Sequence, residues 1–200
     1  HRSGQSTRHF IRAEIGQNFE YNTKGMVISM TTQILIAGFG GQGVLFAGKF
    51  LAYKGMTEKK QVSWLPSCGT ANCSVIISDT PVGSPIISVA DVLVAMNLPS
   101  MDKYENAVVP GGIIICDSAL IEKDISRNDI SVFRIPATKI AQEAGIPTLA
   151  NMIMMGKLLR ESNALTYESV DEALQKVVSA KHANMFEANL KAIETGYNYK

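Results

Sequence analysis

Reactive and metal-binding side chains are scarce in this chain. There are three cysteines, Cys68, Cys73 and Cys116, and three histidines, His1, His9 and His182. The odd cysteine count and the lack of any C-x-x-C spacing argue against a disulfide framework, a zinc site and a self-contained iron–sulfur cluster. The scattered histidines leave no metal cluster and no histidine-centred triad. Net charge is only +1, so neither nucleic acid nor an anionic membrane is expected as a partner. No apolar run reaches the ~18 residues that a spanning helix needs. A reducing cytoplasm is the expected setting. Carboxylate pairs, nucleophile–base pairs and metal-ligand spacings are also missing, so the parts of a self-sufficient enzyme are not there.

What is present is a chain rich enough in apolar residues, 46% against 18% charged, to bury one sizeable core. Residues 1–29 stand apart. They start with His1 rather than methionine and carry Arg2, Arg8 and Arg12 among Ser3, Ser6 and Thr7, with little periodicity and no apolar segment of the secretory kind. They are expected to be an added extension or a mobile arm, with Met30 as the natural start and residues 30–200 as one domain.

From there strands alternate with helices. Ile34–Ala37 reads as a buried strand, Gly43–Gly55 as a helix closed by Gly55, and Gln61–Leu65 as a short strand stopped by Pro66. Ala71–Ser78 and Val82–Ile87, joined by Asp79-Thr80-Pro81, read as a hairpin. Asp91–Met96 is a core strand. Leu98–Ala107 is a helix with Pro99 near its first position. Pro110-Gly111-Gly112 is a turn before a strand over Ile113–Cys116. Ser131–Ile135 is a further strand, and Pro136–Ala144 and Leu149–Arg160 are helices. Val170, Leu174, Val177 and Val178 share one helix face, as do Phe186, Leu190 and Ile193, with Gly196 closing the last helix. The pattern predicts an α/β fold: a three-layer, Rossmann-like, mostly parallel sheet with an inserted β-hairpin.

The stretch Ile34 to Val44 carries the strongest local signal. Gly38, Gly40 and Gly43 fit G-x-G-x-x-G between a strand and a helix, with Gly41 as an extra glycine. Backbone N–H groups at the helix start would suit a phosphate or carboxylate. A dinucleotide site also wants an acidic residue ~20 positions on, at the end of the second strand. That strand ends in Leu65, Pro66, Ser67 and Cys68, without an acid or a nearby arginine. The turn therefore reads as close strand–helix packing or as a site of another kind. The loop Ser67 to Cys73 is small and polar and belongs at the same sheet edge. No Lys, Arg or His adjoins Cys68 to lower its pKa, and Cys73 and Cys116 fall in strands as small hydrophobes. Asp117 and Asn97, each at a strand end, read as caps before ligand groups, as does Asn151 at the start of a methionine-rich helix.

The run from Ile34 through Gly48 resembles the start of the gamma subunit of 2-oxoacid:ferredoxin oxidoreductases. Gly69-Thr70-Ala71-Asn72-Cys73-Ser74-Val75, Asp79 to Pro85, Ala90 to Asn97, Pro110-Gly111-Gly112 and the helix from Asn151 to Gly156 resemble later stretches of that family in the same order. The likeness spans about residues 30–195 and is somewhat closer to 2-oxoglutarate-type than to pyruvate-type enzymes. It implies a non-autonomous subunit of an enzyme that oxidatively decarboxylates a 2-oxoacid with CoA. The products are an acyl-CoA, CO2 and reduced ferredoxin. It further implies alpha and beta partner subunits, a ferredoxin-like delta subunit in some assemblies, ferredoxin as acceptor and an oligomeric enzyme. Thiamine diphosphate, Mg and iron–sulfur clusters would be held by the other chains, and this chain alone would bind none. The gamma chain would shape the CoA-side approach to the active site. The expected site-facing residues are Gly38, Gly40, Gly41, Gln42, Gly43, Ser67, Gly69, Thr70 and Asn72, with no catalytic residue and no metal ligand. The alternative, from the residues alone, is a free-standing nucleotide-binding module.

One departure from the family pattern concerns the loop before the Gly-Thr-Ala-Asn run. The family carries a longer segment there, resembling Ser-Tyr-Gly-Pro-Glu-x-Arg-Gly-Gly, whose Glu and Arg would face the active site. Here Ser67 runs straight into Cys68 and Gly69. The matching flanks favour skipped residues over a true deletion, and a continuous, ordered chain across 66–70 would contradict that.

Overall fold

The centre of the sheet is built from aliphatic residues that follow one another with no polar face. Ile34, Ile36, Leu93, Val94, Ile114 and Ile115 are all fully buried, as strands covered on both faces require. The computed structural model describes residues 9–12, 18–21, 27–67 and 71–200. Its elements, in order, are β1 (His9–Arg12), β2 (Asn18–Tyr21), β3 (Val27–Ala37), α1 (Val44–Thr57), β4 (Gln61–Pro66), β5 (Asn72–Ser78), β6 (Ala90–Ala95) and α2 (Leu98–Tyr104). They continue with β7 (Val108–Asp117), β8 (Ser131–Ile135), α3 (Ala137–Glu143), α4 (Ala150–Glu161), α5 (Val170–Val177) and α6 (Phe186–Asn198).

The α/β architecture is the expected one, with a mixed sheet. Strands β3, β6, β7 and β8 are parallel neighbours in that order. On the other side of β3 lies β5, antiparallel, and β4 pairs antiparallel with β5. Strand β4 therefore runs parallel to β3 one place further out, and its C-terminus returns to the edge where β3 ends. Strands β2 and β1 extend the sheet along the first half of β3. Alternation along β3 divides the core. Ile34 and Ile36 join α1 and α3–α6 in the larger cluster, while Leu35 joins Met101 of α2, Leu93, Ile114 and Ile121 on the other face.

Several local expectations change. The hairpin forms, but between β4 and β5; Val82–Ile87 is not a strand. Pro81 and Pro85 have no N–H to give a ladder, and Gly83 has no side chain to pack. Strand β3 starts at Val27, well before Ile34, because its Ser/Thr/Gln alternation looks like loop composition while pairing along β2 and β5. Pro110-Gly111-Gly112 lies inside β7 rather than in a turn before it. Ala90 pairs with Val108 and Val92 with Ile113, a register shift that absorbs the extra residues, with Gly111 at φ 77°. Val178 falls just past the end of α5.

Of the glycines expected to end helices, Gly145 follows α3 with φ 71°, but Gly55 and Gly196 are packing glycines instead. Helix α1 runs past Gly55, where a Cβ would lie 2.7 Å from Val62 and 2.9 Å from Ile77. Gly196 sits inside α6, opposite Gly156 of α4. A Cβ on Gly156 would fall 2.0 Å from the Ile193 carbonyl oxygen, and one on Gly196 1.8 Å from that of Ile153. The two helices touch backbone to backbone, so only hydrogen fits at these positions.

Candidate functional site

The glycine turn leaves the carboxyl end of β3 and feeds α1. Gly41 (φ 87°) and Gly43 (φ 72°) hold left-handed backbone that other residues adopt at a cost. Gly38 is glycine for a second reason: a Cβ there would meet Gln42 Oε1 at 2.6 Å and Met96 at 3.2 Å. Gly40 needs neither. Its φ is ordinary, and among the described residues nothing lies within 4 Å of where its Cβ would be.

Three side chains fix the turn from within. Gln42 Oε1 accepts from Phe39 N at 2.6 Å and from Asn97 Nδ2 at 2.9 Å, while its Nε2 donates to Met96 O at 3.1 Å. Its amide is thus committed to tying the turn to the end of β6. Asn97 also caps α2, its Oδ1 accepting from Ser100 N at 2.9 Å. Asn151 is no cap; it lies inside α4, buried, and its Nδ2 donates to Gly43 O at 3.0 Å. Asp117 is the cap expected of it. Its Oδ1 accepts from Ala119 N at 3.0 Å, and its Oδ2 from Thr138 N at 3.0 Å and Thr138 Oγ1 at 2.5 Å.

The start of α1 has no such closure. Gly43 is the N-cap and offers no side chain, and the first turn holds no acidic residue. Its orphan N–H groups and the positive end of the helix dipole favour an anion. Among the described residues this end opens on a groove of about 670 Å³, lined by Phe39, Gly40, Gly41, Leu45, Phe46 and Ser67. Phe39 and Leu45 are about half exposed, a local apolar patch.

Ser67, Ala71 and Asn72 lie beside the turn, as the sheet order dictates. Gly38 N donates to Ala71 O at 2.9 Å, and Ser67 N to Asn72 O at 3.1 Å. Asn72 Nδ2 donates to Tyr104 Oη at 2.7 Å. Gly38, Gly40, Gly41, Gln42, Gly43, Ser67 and Asn72 thus gather at one edge. Gly69, Thr70 and Cys68 lie outside the described residues, and with them the test of chain continuity across 66–70. Two residues at this edge escaped the sequence reading. Lys103 and Tyr104 of α2 line a second groove, of about 230 Å³, on the other side of Gly38–Gly40. Asn97-Leu98-Pro99 held the signal, since a helix opened at the carboxyl end of the neighbouring strand must run past the turn. Lys103 supplies a cation there, its Nζ 5.0 Å from the Tyr104 ring centre.

The rest of the chemistry is muted. Burial pushes the Cys73 thiol up to about 12, against hydrogen bonds from Trp64 and Gly48 that act the other way. Burial likewise raises Cys116. Neither is a thiolate near neutral pH. Among the described residues no three His, Cys, Asp or Glu side chains converge as metal ligands. The two described cysteines lie apart on β5 and β7, so they do not together hold an iron–sulfur cluster. No helix among the described residues is long and apolar enough to cross a membrane.

Comparison with known proteins places the chain in a family. The family model for pyruvate ferredoxin/flavodoxin oxidoreductase matches residues 33–199. The chain is 37% identical over 171 residues to ketoisovalerate oxidoreductase subunit VorA of Methanothermobacter thermautotrophicus, covering 82% of this chain and 35% of that one. It therefore spans about a third of that relative's length. It is 31% identical to 2-oxoglutarate synthase subunit KorC of Methanocaldococcus jannaschii, covering 85% of this chain and 94% of that one. The fold matches the solved gamma subunit of keto/oxoacid ferredoxin oxidoreductase from Geobacter sulfurreducens, with TM-score 0.74, 27% identity, and 84% and 94% of the two chains covered. These likenesses support an oxidoreductase subunit and give no support to a free-standing nucleotide-binding module; the chain belongs to the pyruvate ferredoxin/flavodoxin oxidoreductase family.

Proposed function

We propose that this chain is the gamma component of a 2-oxoacid:ferredoxin oxidoreductase, active only with alpha and beta partners. In this reading the assembled enzyme decarboxylates a 2-oxoacid, passes the acyl group to CoA and reduces ferredoxin. The substrate class follows the names of its relatives, which include 2-oxoglutarate synthase and ketoisovalerate oxidoreductase subunits. Thiamine diphosphate, Mg and iron–sulfur clusters are assigned to the partner chains, as the family resemblance implies. The contribution of this chain is to bind and orient CoA. The uncapped start of α1 and the exposed Lys103 attract its phosphates, and the groove before Gly40 lets it lie against the backbone. Phe39 and Leu45 give the same edge an apolar surface for a partner subunit.

The single observation that carries this reading is Gly40. It is a glycine that neither backbone angle nor packing within the described chain requires, at the mouth of a helix without a cap. The test is reconstitution. The chain alone should show no NAD(P)-linked activity. Adding it to alpha and beta subunits should restore 2-oxoacid- and CoA-dependent reduction of a low-potential acceptor. Full activity of alpha and beta without it contradicts the proposal.

A further inference from the structure

Strand β4 is the outermost strand on its side of the sheet, and among the described residues it pairs only with β5. One bond tells which of its backbone groups are spent. Ser67 N donates to Asn72 O at 3.1 Å, so Ser67 turns its N–H and C=O towards β5. The direction of these groups alternates along a strand. Gln61, Ser63 and Leu65 therefore bond β5 too, opposite Ser78, Ile76 and Ser74, while Val62, Trp64 and Pro66 turn their groups outward. Pro66 fits this assignment, because a proline places its missing N–H at a free edge. The free edge is bounded at both ends. Pro66 has no N–H to give, and Lys60 N is taken by Gly55 O at 2.9 Å. Between them stand the N–H and C=O groups of Val62 and Trp64, placed evenly about Ser63. Exposed edges are usually blunted by a charge, a bulge or an internal proline. Gln61 to Leu65 carries no charge, and its register with β5 is unbroken. The surroundings are apolar: Trp64 is 36% exposed, Leu65 38%, and Met56 of α1 58%.

We infer that this edge joins a second copy of the chain, β4 to β4 and antiparallel, about a two-fold axis at Ser63, so that one sheet runs through both copies. The edge is complementary to itself. With Ser63 opposite Ser63, Val62 of each copy meets Trp64 of the other, and every outward N–H of these residues finds an outward C=O. A step of the register in either direction sets Val62 O against Pro66 or Trp64 O against the committed Lys60 N–H, and leaves it unpaired. Charge permits the contact, since no like charges meet along β4. Serine is small enough for a pair that exchanges no hydrogen bonds, whose Cα atoms lie about 4.5 Å apart. A strand contact alone is small beside the ~800 Å² per partner of a stable interface, and α1 supplies a second layer. Gly48 rests on Trp64 and Gly55 on Val62, so Ala52, between them, is level with Ser63. The two α1 helices then run antiparallel over the joined sheet, with the small Ala52 near the axis and exposed Met56 reaching the other copy. A different partner would need a free edge matched to these two residues, and the chain already carries one. The inference goes beyond the CoA reading and does not need it, because the outer edge of β4 stands whatever the turn holds.

The experiment measures the mass of the full chain by sedimentation equilibrium. The parent should weigh twice its 21.7 kDa. Ser63→Lys and Ser63→Glu each set like charges directly opposite one another at the axis. Each should weaken self-association at least tenfold with an unchanged far-UV spectrum. Mixed in equal amounts, the two variants should associate again one to one, which misfolded chains would not do. In a Cys68→Ser background, Ser63→Cys should form a disulfide between copies on mild oxidation, because the paired Cα atoms lie within disulfide reach. The cross-link should also form when alpha and beta subunits are added before the oxidant. A parent that stays monomeric up to millimolar concentration, undiminished association of Ser63→Lys, no association of the mixed variants, or no cross-link would each overturn the inference. So would a cross-link that alpha and beta subunits block, since one of them would then occupy the edge. Failure of reconstitution to restore activity, with the dimer intact, would count against the function proposed above and leave this inference standing.

Discussion

Two glycine clusters in this chain look alike on paper and differ in kind. At the crossing of α4 and α6, Gly156 and Gly196 face backbone atoms at 2.0 Å and 1.8 Å from a would-be Cβ. Both glycines there are consumed by packing. At the turn between β3 and α1, Gly38 and Gly43 are consumed in the same way, by Gln42 and Asn151, but among the described residues nothing lies within 4 Å of a Cβ on Gly40. A glycine that the fold itself uses says nothing of ligands. One that the fold leaves unused is where an outside group can approach the chain.

The contrast can be broken by substitution. The largest effect belongs to the crossing. Gly196→Ala drives a methyl into the Ile153 carbonyl, and a backbone atom cannot rotate away as a side chain can. Overpacking of this kind costs about 3 kcal/mol or more, so urea unfolding should show a midpoint far below that of the parent; an unchanged midpoint would mean that the helices do not touch there. An intermediate effect belongs to Asn151, which bridges core and turn. Asn151→Ala deletes the bond to Gly43 O and leaves a small void, for about 1–3 kcal/mol. Hydrogen exchange should rise at the start of α1 before it rises in β6 or β7. The smallest effect on stability belongs to Gly40→Ala. With an ordinary φ and nothing in reach, the alanine should be neutral or stabilise by up to about 1 kcal/mol through the unfolded chain, and a large loss would refute the open-space reading.

A separate check concerns the wall behind the turn, where Gly48 lets α1 lie against Cys73. The Cys73 thiol is pushed up to about 12 by burial. Its folded value is raised, so the stability it lends is present below the ordinary thiol value and is lost as pH rises from there towards about 12. At pH 8, mass spectrometry after alkylation should find Cys73 and Cys116 unmodified in the native chain and modified only after unfolding.

Much of the fold was legible because its signals are local. Runs such as Ile34–Ala37 and Ile113–Cys116 admit no reading but buried strand, and the sheet edge of the turn follows from strand order. What was hidden depends on partners far along the chain. Nothing near Asn72–Ser78 says that it pairs backwards with Gln61–Pro66 rather than forwards. Gly55 and Gly196 resemble helix ends until the opposite surface is known. The site was legible in its glycines and in Ser67 and Asn72. Lys103 and Tyr104 come to it through the tertiary placement of α2. Asn151 reaches Gly43 across 108 positions, a contact with no trace in local pattern.

The most direct test of the central claim uses Gly40 in the assembled enzyme. Gly40→Ala, combined with alpha and beta subunits, should raise the KM for CoA at least tenfold. The KM for the 2-oxoacid and the melting temperature of the chain should stay near parental values. An unchanged KM for CoA, with the variant chain assembled in full, would contradict the account and return the glycine turn to a purely structural role.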